Sequence, residues 1–177
     1  MVAEVVLEIV KIVFPAAIVF ATAWYLLKNM LENQEKMRLY EIRRKEKRET
    51  IGLRLQAFER LALFLERISP GNLIPRVRRS GMMARELQFE LISHIRQEYE
   101  HNLSQQIYVS SELWDTINYS KNDLIKVINL ISTSLPEDAD SMELAKGILD
   151  YYIKSAQGLP TEKALDLLKL EVRKLYQ

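Results

Sequence analysis

His94 and His101 are the only histidines in a chain of 177 residues, and Glu90 and Glu98 flank His94. Neutral imidazoles and carboxylates together ligate transition metals. The run Glu98-Tyr99-Glu100-His101 has the Glu-x-x-His spacing used by di-iron helical bundles. On a helix turning about 100° per residue, His94, Glu98 and His101 fall on or beside the arc that carries Leu87 and Leu91. A di-iron centre needs a second such motif, but Leu91 stands three residues before His94, where its glutamate would be. The metal candidate is therefore a mononuclear site on His94, Glu98 and His101. Its alternative is a set of hydrogen-bonded polar residues at a bundle edge or interface.

A second cluster is basic: Arg76, Arg78, Arg79 and Arg85. Anionic lipid headgroups attract about 1 kcal/mol per basic residue near a membrane surface. Arg76, Arg78 and Arg79 are thus candidate lipid-binding residues. The alternative is structural, with these arginines capping helix C-termini or pairing with glutamates.

Other chemistries find no residues to carry them. With no cysteine there is no disulfide framework, no thiolate nucleophile and no cysteine-bound zinc or iron–sulfur cluster. No phosphate loop, nucleophile elbow or dinucleotide fingerprint is present. The net charge is +1, and the 28% of charged residues interleave in sign with no aromatic platform beside them, which argues against nucleic acid. The expectation is no catalysis, no catalytic residue and no cofactor.

The elements that must position these residues are helical. Ile12 to Leu27 is a run of sixteen uncharged residues between Lys11 and Lys28. At 1.5 Å per residue it reaches roughly 24 Å, short of the ~30 Å hydrocarbon thickness. Val5 to Val10 extends the apolar character upstream, and Lys11 and Lys28 can snorkel to the headgroups. Trp24 and Tyr25 sit near one end, where amphipathic rings favour the interface. Lys11, Trp24, Tyr25 and Lys28 are the expected membrane-interface anchors. Pro15 falls inside the run, where spans tolerate it better than soluble helices do. Upstream the charges are Glu4, Glu8 and Lys11. Downstream come Lys28, Lys36, Arg38, Arg43, Arg44, Lys45, Lys47 and Arg48. Positive charge stays on the cytoplasmic side, so the N-terminus should face out and the bulk of the chain should be cytoplasmic. Ala21-Thr22-Ala23 matches a signal-cleavage pattern, but the glutamates before it oppose a secretion signal.

Residues 32–49 carry charge on all sides and read as a polar helical stalk. From Thr50 the pattern changes. Ile51, Leu55, Phe58, Ala62 and Leu65 form a heptad seam. Ser69-Pro70-Gly71-Asn72 breaks the helix, and Pro75 to Gly81 bounds a loop. Further helices are expected over about 82–106, from a Ser110 or Ser111 cap to before Pro136, over 141–156 and over 162–176. Their apolar positions are Leu113, Ile117, Ser120, Leu124, Val127 and Ile131, then Leu144, Ile148, Tyr151 and Tyr152, then Leu165, Leu168, Val172 and Leu175. No stretch alternates long enough to be a strand.

The sequence thus reads as an all-α chain. It has a transmembrane anchor over 1–31, a stalk over 32–49 and an up-and-down bundle of about five helices over 50–177. The stretch from Glu49-Thr50-Ile51-Gly52 to Leu61, followed by the helix ending Glu100-His101-Asn102, resembles an uncharacterised family of short bacterial proteins. These have one N-terminal transmembrane helix and a helical domain. The resemblance implies that layout and carries no activity or site; the span and its charge asymmetry set the expected location, the inner (cytoplasmic) membrane. The expected function is a membrane-anchored interaction module, a scaffold or accessory subunit held by the bilayer and meeting a protein partner or a second copy. A metal-dependent enzyme or sensor on the His94/Glu98/His101 face and an anionic-lipid surface module are the alternatives.

Overall fold

The computed structural model describes residues 2–156 and 158–175; within the first helix, side chains are described at 14, 17–38, 40, 41, 45 and from 50 onward. The described residues hold six α-helices and one 3-10 helix, with no strand among them. They are α1 (Val2–Ile68), α2 (Pro70–Val77), α3 (Ala84–Asn102), a 3-10 helix (Leu103–Tyr108), α4 (Ser111–Ser134), α5 (Ser141–Lys154) and α6 (Pro160–Lys174). The chain divides into two compact units, Met1–Thr50 and Ile51–Gln177.

The described residues of the first unit are helix throughout. Where its side chains are described they are exposed, the apolar Phe14, Ile18, Val19 and Phe20 as much as the charged Glu32, Lys36 and Arg38. Among the described residues no helix is long and apolar enough to cross a membrane. Much of the expected span, including Val5 to Val10, Lys11 and Pro15, falls on side chains outside the described residues. So do those of Arg43, Arg44, Lys47 and Arg48.

The second unit owns the core. Its largest fully buried side chains come from α1 (Phe58, Leu61, Phe64, Leu65, Ile68), α2 (Leu73), α3 (Leu87, Leu91, Ile95) and α4 (Leu113, Ile117, Leu124). α3 packs on α2, α4 and α5, whereas α6 packs chiefly on α4. Packing order therefore departs from chain order at the last helix. Ser120, fully buried on α4, shows how α6 is pinned there. Its hydroxyl shares one proton between the carbonyls of Thr116 at 2.8 Å and Pro160 at 2.9 Å, so the start of α6 is tied to the middle of α4.

Caps set the helix starts. Ser110 accepts from the Leu113 N–H, and Asp140 accepts from the Met142 N–H, each satisfying a first-turn amide. The Glu86 carboxylate turns back to accept from the Met83 N–H, which starts α3 two residues later than expected. The expected loop over 75–81 is in part helix α2. Pro70 stands at its start, where a missing N–H costs nothing, and Leu73, Ile74 and Val77 bury one face. Pro75 forfeits only the bond to the exposed Gly71 carbonyl. At the far end of the unit two connections are stitched together: Ala84 N donates to the Ala139 carbonyl and Ser141 N to the Met82 carbonyl.

Candidate functional site

α3 changes character along its length. Ala84, Leu87, Leu91 and Ile95 face the core, and then Glu98 and Asn102 continue the same face with polar groups. Glu98 is nearly enclosed, with its side chain 15% exposed. It is held by the Arg67 guanidinium at 3.0 Å and the Arg76 guanidinium at 3.9 Å. Arg76 also donates to the Arg67 carbonyl at 3.2 Å, capping the last turn of α1. The metal candidate Glu98 and the lipid candidate Arg76 are thus partners of each other. This charge-assisted corner locks α1, α2 and α3 together.

His94 is half-buried and His101 exposed. His101 enters the packing through its backbone, where its carbonyl accepts from Arg60 at 3.1 Å. Among the described residues no group of three or more histidine and carboxylate side chains is placed to hold a metal ion. Glu98 instead turns its Oε1 to the two guanidinium groups.

The remaining arginines part company as well. Arg78 is half-buried and donates to the hydroxyl of the fully buried Ser141 at 3.0 Å, bracing the stitched end of the unit. Arg85 pairs with Glu137 at 2.6 Å between two exposed side chains, a contact worth little in water. Arg79 is exposed on a shallow cleft that Met82, Glu86 and Phe89 also line. Of the expected interface anchors, Trp24, Tyr25 and Lys28 are exposed on α1, and the Lys11 side chain lies outside the described residues.

The densest polar–aromatic cluster lies elsewhere. Tyr99 stacks on Trp114 at 5.6 Å between centroids and tilts against Phe64 at 6.1 Å. The Lys121 ammonium sits 3.8 Å from the Tyr99 ring centre, and the Tyr99 hydroxyl donates to Asn118 at 2.6 Å. Burial raises the Tyr99 phenol above its ordinary value, against the Asn118 bond, which works the other way. Burial, and then the Arg96 charge, lower the Lys121 ammonium. These residues come from α1, α3 and α4, so no single-helix spacing announces them. The signal available in the sequence is only that Tyr99 and Trp114 are large rings on amphipathic helices.

A second tyrosine has a sharper consequence. Tyr152 is buried and donates to the Asp123 carboxylate at 2.9 Å. Burial first, then the bond and the negative charge of Asp123, push its phenol well above the ordinary tyrosine value of 10.0. The folded state therefore keeps a proton that the unfolded chain gives up near pH 10. Stability is intact below that pH and is lost above it, by about 1.4 kcal/mol per pH unit for one proton. Tyr152→Phe should flatten this alkaline loss while costing about 1 kcal/mol at neutral pH for the missing bond. Urea unfolding at pH 8 and pH 11 checks both.

Ser110 adds a link to the last helix: Glu171 accepts from both its hydroxyl and its N–H, so the start of α4 is joined to α6. The serines Ser110, Ser120 and Ser141 are thus committed to a carboxylate, to carbonyls and to a guanidinium. These arrangements join helices.

No curated protein and no solved structure matches the chain significantly. One family model does match, over residues 4–175, and on that match the chain belongs to the DUF7935 family, a family of unknown function.

Proposed function

We propose that the protein is a membrane-anchored helical interaction module, a scaffold or accessory subunit with no catalytic step of its own. The observation that carries this reading is the surface of the first unit. Ile18, Val19 and Phe20 are consecutive and each is more than half exposed, at 52%, 68% and 71%. Consecutive helical residues point about 100° apart, so these side chains cover different sides of the helix. A helix apolar on all sides suits a lipid surround better than a one-sided protein groove. Thr22, the hydroxyl within this stretch, donates to the Ile18 carbonyl at 2.8 Å and so asks nothing of water. Trp24, Tyr25 and Lys28 then stand where the headgroups begin.

The charge asymmetry around the stretch sets the orientation, N-terminus out and the second unit cytoplasmic. That unit contributes a rigid bundle whose polar side chains are spent on joining helices, leaving its outer faces for a protein partner.

The test uses native membranes holding either the full chain or a chain lacking residues 1–31. The full chain should remain in the pellet through alkaline carbonate and the shortened chain should leave it. Co-purifying proteins are then quantified after mild detergent extraction, with one partner expected near stoichiometry. Release of the full chain by carbonate removes the anchor. Retention with no protein above background removes the scaffold.

A further inference from the structure

The first unit carries a narrow seam that its charged surface hides. Leu26, Met30, Asn33, Met37 and Tyr40 recur at spacings of four, three, four and three, which places them in one stripe along α1. All are exposed, the apolar members at 58–64%. A shallow groove runs along this face from Leu26 to Glu41. Upstream the same register continues through Val19 and Ala23, a small residue of the kind that lets helices approach closely inside a bilayer.

We propose that this seam pairs with the same seam of a second copy, as a short, parallel, in-register coiled coil. The inference deepens the anchored-module reading by naming a partner for its N-terminal helix, and the parallel direction rests on that reading, because two anchored helices leave the bilayer the same way. The flanking charges point to the same arrangement independently. In a parallel pair the residue just before one core position faces the residue five further along the other helix. Lys36 of one copy then faces Glu41 of the other, twice per pair by symmetry. Asn29 likewise faces Gln34, amide to amide.

The seam also ends where the charges say it must. In the sequence the next two heptad positions fall on the charged Arg44 and Lys47, so the pattern stops at Tyr40. Asn33 inside the seam disfavours shifted registers, which would bury it against an apolar partner. So short a coil is marginal alone, and co-anchoring in the bilayer raises its effective concentration.

The absence of cysteine makes the test clean. Single cysteines are placed in the full chain at Leu26, Met30, Asn33, Met37 or Tyr40, and at the outward positions Lys28, Glu32 or Glu35. Native membranes are oxidised mildly and the disulfide-linked dimer is quantified. Seam positions should exceed outward ones by about fivefold, following the heptad period. In the Met37→Cys chain, Lys36→Glu or Glu41→Lys alone should lower the yield about threefold, and both together should restore it. A yield without period, or a double swap that restores nothing, overturns the pairing. Carbonate extraction of the same membranes separates the two readings. An anchored chain without period defeats the pairing alone, whereas a periodic chain that carbonate removes defeats the anchor alone.

Discussion

Phe64→Ala is expected to cost the second unit about 3–5 kcal/mol, the range for emptying a fully packed aromatic site. Phe64 is 1% exposed and lies on the buried face of α1 among Leu61, Leu65 and Ile68. Its ring also meets Tyr99, which stacks on Trp114. Truncation therefore removes apolar contact and the support of a ring stack that joins α1, α3 and α4. Phe64→Leu keeps most of the volume and should cost less than half as much, about 1.5 kcal/mol. The measurement is urea unfolding of the full chain in a Trp24→Phe background. Trp114 is then the only tryptophan, and it reports from inside the cluster. A loss below 1 kcal/mol for the alanine variant would mean that α1 is not integral to this core. An unchanged native emission would mean that the stack stands without Phe64.

The same helix shows what the sequence makes legible and what it conceals. On α4 the apolar spacing is nearly enough: Leu113, Ile117, Ser120, Leu124 and Val127 are buried as their periodicity implies, but its last member, Ile131, is half-buried and Ile128 is buried instead. On α1 a heptad template selects Ile51, Leu55, Phe58, Ala62 and Leu65, but Ile51, Leu55 and Ala62 are only half-buried. The buried face takes Ala57, Leu61, Phe64 and Ile68 as well. A straight helix drifts about 20° per heptad away from a 3.5-residue repeat, so the template slides off the true face. α2 is concealed by its own composition. Pro70, Gly71 and Pro75 signal a turn, while the burial of Leu73, Ile74 and Val77 against neighbouring helices decides for a helix. The polar residues teach a related lesson. Sequence spacing groups Glu98 with the histidines of its own helix and Arg76 with neighbouring arginines. In space Glu98 is held first by Arg67 of α1, and Arg76 of α2 caps the Arg67 carbonyl and reaches Glu98 at 3.9 Å. Residue type on one helix says what a group can bind, and tertiary packing says what reaches it first.

Gly147 is a second position where packing overrules local rules. In a helix interior, glycine is about 1 kcal/mol worse than alanine, so Gly147→Ala should help α5 on propensity alone. The structure reverses the sign. A Cβ built at Gly147 meets Cγ2 of Ile131 on α4 at 2.6 Å. Isoleucine is β-branched, with one strongly preferred χ1 in a helix, so that methyl cannot swing aside cheaply. Relief requires α4 and α5 to move apart, against the burial of Leu144, Ala145 and Ile148 that holds α5 in place. The expected net loss for Gly147→Ala is about 1–3 kcal/mol. Gly52→Ala is the matched control, since nothing lies within 4 Å of its Cβ position. There the propensity gain stands alone, and the change should be neutral or stabilising by up to about 1 kcal/mol. Ile131→Ala removes the obstructing methyl, so Gly147→Ala made in that background should lose most of its penalty. The coupling is expected at about 1–2 kcal/mol in a double-mutant cycle. Opposite signs at the two glycines, with Gly147→Ala rescued by Ile131→Ala, would establish α4–α5 contact as the reason α5 carries a glycine. Equal signs would return Gly147 to an ordinary helix position and place the α4–α5 approach at a greater distance.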